Sequence, residues 1–154
     1  MQIADPHWTQ YLAALLTPTV AVSAVVIGYR QWRTAQNKLK LDLFEKRLKI
    51  YEAVRNLIGS ILRTGKTSPA SESEFLQASQ GAKWLFGPEV EKYVYGTLWP
   101  KVCDLWCLQE ELNGLGVGPE RTEKANKAAD IKKWLLDQTK VLDAKFAPYL
   151  KLEH

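Results

Sequence analysis

Residues 11–29, YLAALLTPTVAVSAVVIGY, pass without one charged side chain. A helix rises about 1.5 Å per residue and the hydrocarbon core of a bilayer is about 30 Å thick, so about twenty apolar residues are needed to cross it. The stretch therefore predicts a transmembrane helix over 11–29, with 1–10 as a short external tail. Trp8 and Tyr11 lie at one end of the run and Tyr29 and Trp32 at the other. Amphipathic rings in those places form a belt at the two headgroup levels. Two blander readings compete. A buried helix of a soluble bundle would normally carry a polar stripe, and this run has none. A cleavable signal peptide needs a basic leader, whereas the residues ahead of the run hold Asp5 and no Lys or Arg, although Val22-Ser23-Ala24 imitates a cleavage site.

Charge sets the expected orientation. The chain has 21 Lys and Arg against 17 Asp and Glu, a net charge of +4 and a pI near 9.0. All the basic residues fall at or beyond position 30, and Arg30, Arg33, Lys38 and Lys40 follow the run with no acid among them. The positive-inside rule then places the C-terminal side in the cytoplasm of a bacterial inner membrane, with the N-terminus outside. The same four residues suit anionic lipid headgroups, at about 1 kcal/mol each. Because topology already accounts for them and charges are mixed from Asp42 onward, no nucleic-acid partner is expected.

Within the run, Pro18 lacks the N–H that would bond back to Ala14, so a kink is expected there. Small residues recur on one face at Ala13, Thr17, Ala21, Ala24 and Gly28. Such a stripe lets helices approach closely in lipid, and it predicts a helix–helix contact between copies of the chain.

Beyond the run, 30–151 reads as one cytoplasmic helical-bundle domain, making the fold class all-α: one N-terminal transmembrane helix, a long helix, and an antiparallel bundle. Residues 152–154, LEH, read as an expression-tag remnant. The long helix is expected over 31–62. Its apolar rows, Leu41, Phe44, Leu48, Tyr51, Ile58, Leu62 and Leu43, Ile50, Val54, Leu57, Ile61, form a stripe wider than three partner helices would cover. Asp42 with Lys46 and Glu45 with Lys49 have favourable i,i+4 order. GKTSPAS at 65–71 marks a break, and Ser71-x-x-Glu74 has the form of a capping box for a second helix through Trp84, Leu85 and Phe86 to Gly87-Pro88. A third follows to Leu112, bent at Pro100. The last opens at Pro119 and Glu120 and halts before Pro148. Four cytoplasmic helices with short connections is the arithmetic of a bundle.

Chemistry is sparse. Cys103 and Cys107 share a helix face, but the domain has no native His or further Cys to complete a tetrahedral metal site, and buried reduced thiols are expected instead. His7 lies across the membrane from the domain. Glycines 114, 116 and 118 lack the Lys-Ser or Lys-Thr of a phosphate loop, and Glu110-Glu111 reads as a solvated helix end. Trp84, Trp99, Trp106 and Trp134 are expected in the core. No catalytic residue, cofactor or metal is assigned.

KLKLDLFEKRLKIYEAV, WLFGPEV, WLLDQTK and FAPYL together resemble a widespread group of bacterial and phage proteins in which an N-terminal span precedes a helical domain. The resemblance covers most of 30–151 and implies that architecture, with no catalytic assignment. The expected function is a membrane-anchored, self-associating interaction or assembly module, not an enzyme, with membrane lipid, further copies of itself and a cytoplasmic protein as partners. The alternative is a small homo-oligomeric pore or transport subunit lined by the kinked span, in which Thr17, Thr19 and Ser23 would supply the polar groups. The absence of any ionisable residue in the span weighs toward the first.

Overall fold

The structure, a computed structural model, describes the backbone of residues 8–151 and the side chains from Leu16 onward except that of Thr17. Those residues form helices and no strand: α1 (Trp8–Thr64), α2 (Pro69–Ser79), α3 (Ala82–Phe86), α4 (Pro88–Tyr93), a π-helical turn (Val94–Leu98), α5 (Trp99–Gly114) and α6 (Pro119–Phe146). They divide into two compact units, Met1–Leu41 and Asp42–His154.

The first unit holds the opening part of α1, which continues through Pro18 as helix. Ser23 Oγ donates to the Thr19 carbonyl at 2.8 Å, and Thr34 Oγ1 to the Arg30 carbonyl at 2.9 Å. Bonding four residues back in this way hides a hydroxyl from an apolar surrounding.

The second unit is built from antiparallel pairings, legible in side-chain contacts whose numbers run in opposite directions. Against α6, α1 places Tyr51 on Asp143 and Phe146, while Gly65 at its end lies beside Lys132. Against α5 and the π turn, α2 places Phe75 on Trp99 and Ser79 on the Tyr95 hydroxyl. The hairpin of α5 and α6 is closed by Arg121, which donates to the carbonyls of Leu112 and Leu115, and by Lys124, which pairs with Glu111 and Glu120. Inside lie Val54, Leu57, Ile61, Phe75, Leu98, Leu105, Leu135 and Phe146, all fully buried.

Several expectations are corrected. The stop at Thr64 is made by Gly65, whose φ of 71° is the left-handed conformation that ends helices and whose N–H bonds to Ile61 O at 2.8 Å. The cap of α2 is Ser68, not Ser71: its hydroxyl accepts from Ser71 N at 3.2 Å and Pro69 takes the first turn, where a missing N–H costs nothing. The helix expected from Ser71 to Phe86 is two, parted at Gln80-Gly81, and turns into α4 at Gly87, whose φ of 82° only glycine adopts freely. Pro100 opens α5 after a π turn in which Trp99 N–H reaches back to Val94 O. The wider turn is where the helix accommodates a residue that cannot donate. The domain thus has more helical segments than the four expected.

Burial revises the side chains too. Trp84 is 83% exposed and Trp106 50%, while Trp99 and Trp134 are half-buried; none is fully in the core. Cys107 is exposed and Cys103 half-buried, so the thiols are not core groups. Neither Asp42–Lys46 nor Glu45–Lys49 closes into an ion pair, whereas Lys101–Asp104, Lys124–Glu111, Lys124–Glu120 and Lys127–Glu123 do, on α5 and α6. The apolar stripe of α1 is covered within the domain from Phe44 to Leu62, leaving Leu39, Leu41 and Leu43 exposed.

Candidate functional surfaces

Around the first unit, every described side chain from Leu16 to Leu41 is exposed. Leu16, Val20, Val22, Val25, Val26, Ile27 and Tyr29 are each 48–71% accessible. Successive residues of a helix point about 100° apart, so 25, 26 and 27 face three different ways. An apolar surface that girdles a helix suits the interior of a membrane or of a larger assembly. Ala21, Ala24 and Gly28 lie on this exposed helix, and a β-carbon added at Gly28 meets nothing within 4 Å. Tyr29 and Trp32 pair at 6.0 Å between ring centres, Arg30 and Arg33 are exposed next to them in sequence, and Lys38 and Lys40 are exposed further along the same helix. The side chains of Trp8, Tyr11, Ala13 and Thr17 lie outside the described residues. Among the described residues no helix is long and apolar enough to cross a membrane, and the run at 11–29 is described at side-chain level only from Leu16, without Thr17.

In the domain, the end where α1 enters is held by Arg47. Its Nε donates to the Leu85 carbonyl at 3.0 Å and its Nη1 to the Tyr149 carbonyl at 3.2 Å. The guanidinium also lies 5.9 Å over the Tyr149 ring, and Phe86 packs edge-on against both Phe146 and Tyr149. One cation thus bonds carbonyls near the end of α3 and in the C-terminal turn, where a helix end leaves carbonyls to be matched from outside.

A groove of about 370 Å³ runs along the seam of α4, the π turn and α6, lined by Glu89, Lys92, Tyr93, Thr97, Trp134, Gln138, Val141 and Lys145. A smaller hollow of about 250 Å³ continues it past Glu89 and Lys145 to Pro148 and Tyr149. At its floor the Tyr93 hydroxyl donates to Gln138 Oε1 at 3.1 Å, a buried side-chain hydrogen bond between positions 45 apart. Burial pushes the Tyr93 phenol from 10.0 up to about 12, because a phenolate would lose its hydration there. Lys145 Nζ stands 5.4 Å over the same ring. Sequence reasoning missed this groove. Its members fall at helical spacing on α4 (Glu89, Lys92, Tyr93) and on α6 (Trp134, Gln138, Val141, Lys145), with Thr97 on the π turn, but nothing in the sequence says that these two faces meet.

On α5, Trp99, Val102, Cys103 and Trp106, with Glu72 of α2, line a cleft of about 190 Å³. Burial raises the Cys103 thiol, and the neighbouring Cys107 adds to the shift, so neither the position nor the charge around it activates a nucleophile. No cluster of three His, Cys, Asp or Glu that could hold a metal occurs among the described residues. No protein-family model, curated protein or solved structure matches the chain.

Proposed function

We propose that the protein is a membrane-anchored interaction or assembly module: residues 11–29 cross a bacterial inner membrane, and the helical domain works on the cytoplasmic side. The observation that carries this reading is the apolar girdle on α1, Leu16 to Tyr29, whose described side chains are all exposed and which ends at an aromatic and basic collar. Left in water, such a girdle is an aggregation liability; in acyl chains it is at rest. The domain supports the module reading from the other end. It buries its own core and leaves Trp84 and Trp106 outside, residues enriched where proteins bind one another.

Self-association belongs to the same reading, through the small residues Ala21, Ala24 and Gly28. With the stripe of α1 covered from Phe44 onward, the small-residue face is the chief argument for it. The pore alternative is weakened by Ser23, whose hydroxyl is bonded to its own helix.

The test is sedimentation of the full chain in detergent, wild type against the A24L/G28L double variant. Both positions are open in the single chain, so added bulk has nothing to strike within it. A wild-type oligomer that falls to monomer in the variant agrees with the reading. A wild-type monomer, or an oligomer indifferent to the two leucines, removes the self-association.

A further inference from the structure

We propose that the groove between α4, the π turn and α6 receives an acidic segment of a partner protein, with a carboxylate held by the Gln138 amide between Lys92 and Lys145. This names the partner chemistry of the interaction module and in that respect rests on the reading above.

Gln138 is the reason. It lines the groove, yet only 8% of it is accessible, and a buried polar side chain normally has its hydrogen-bonding groups matched. Its Oε1 is engaged by the Tyr93 hydroxyl, which fixes which way the carboxamide faces. Its Nε2 donates to no described residue, and it is not sealed from the groove, since no side-chain nitrogen or oxygen is both fully buried and unmatched. An N–H donor locked in orientation by a buried partner and facing an open hollow is preorganised for an acceptor from outside.

The charges select the acceptor. Lys92 and Lys145 both line the main groove and are exposed, and Lys145 is steadied over the Tyr93 ring. One acid, Glu89, stands against them. A carboxylate answers the amide and both ammonium groups; a cationic side chain would answer none of the three. Trp134 and Val141 supply an apolar wall for neighbouring side chains of the guest.

Shape distinguishes a chain segment from a compact ligand. The hollow at Pro148 and Tyr149 shares Glu89 and Lys145 with the main groove, so the depression follows α6 lengthwise. The twelve helical residues from Trp134 to Lys145 span about 17 Å, the reach of about five extended residues.

The probe is a fluorescein-labelled hexapeptide, Glu-Leu-Glu-Phe-Glu-Leu, titrated by anisotropy against the full chain in detergent, with Lys replacing Glu in a control peptide. The expected result is saturable binding of the acidic peptide alone, weakening with salt. K92E/K145E, at two exposed positions, should weaken it by about tenfold or more. Q138L should weaken it too, and its thermal midpoint shows whether the fold survives. K101E/K127E, on another face, should change nothing. The proposal is overturned if neither peptide binds, if both bind alike, or if the K92E/K145E reversal leaves affinity intact. It is equally overturned if Lys92 and Lys145 serve only to bind vesicles of anionic lipid. Peptide binding needs neither membrane insertion nor oligomerisation, so a monomer that binds, or an oligomer that does not, tells this inference apart from the module reading.

Discussion

Arg47 donates from Nη1 to the carbonyl oxygen of Tyr149 at 3.2 Å, joining α1 to the end of the domain across 102 positions. The same guanidinium holds Leu85 O at 3.0 Å, so three segments meet on one side chain. Hydrogen bonds from a charged donor contribute about 1.5–3 kcal/mol, and removing the donor leaves two half-buried carbonyls unmatched.

Arg47→Met keeps the aliphatic stem and removes only the fork. It should lower unfolding free energy by about 2 kcal/mol in chemical denaturation of the detergent-solubilised chain. A change below about 0.5 kcal/mol, the range of an ordinary surface substitution, would show that the latch is ornamental.

Gly87 sets the corner between α3 and α4 at φ 82°. Nothing lies within 4 Å of a β-carbon added there, so the cost of Gly87→Ala is purely conformational. It should be about 1–2 kcal/mol. Gly116→Ala, equally open but without a positive φ, should cost far less. Equal effects from the two would refute the argument from backbone conformation.

Tyr93 makes stability depend on alkaline pH. The fold holds the neutral phenol, with its pKa raised from 10.0 to about 12. A raised folded-state value means the contribution is fully present below pH 10 and is lost as pH climbs toward 12. Tyr51, also raised by burial and by its bond to Asp143, adds to the loss in the same direction. Thermal midpoints of wild type should fall across that window, and Tyr93→Phe should flatten part of the fall while lowering the midpoint at neutral pH. An unchanged slope in Tyr93→Phe would assign the loss to other groups.

Periodicity and punctuation made the all-α class legible, together with the last helix between Pro119 and Pro148 and the corner at Gly87-Pro88. They failed where a tertiary choice decides among local ones. Ser68 and Ser71 are both competent caps, and Pro69 favours the earlier. Pro100 announces a disturbance but not that the chain absorbs it by widening the turn before it. The tryptophans mislead for a different reason: Trp84 and Trp106 sit at helical spacing among aliphatics, but α3 is a single short turn, and Trp106 lies in an open cleft beside Glu72 that leaves it 50% exposed. The groove was illegible because Tyr93 and Gln138 are 45 positions apart and become a unit only when α4 and α6 pack.

The central claim, that residues 11–29 cross a membrane with the domain inside, is tested most directly by labelling single cysteines in spheroplasts with a membrane-impermeant maleimide. In the C103S/C107S/A4C variant, the thiol at position 4 should react in intact spheroplasts. In C103S, the exposed Cys107 should react only after lysis. That opposite pattern on two ends of one chain requires a crossing and fixes its direction. Protection of both thiols until lysis, or reaction of both before it, would contradict the account.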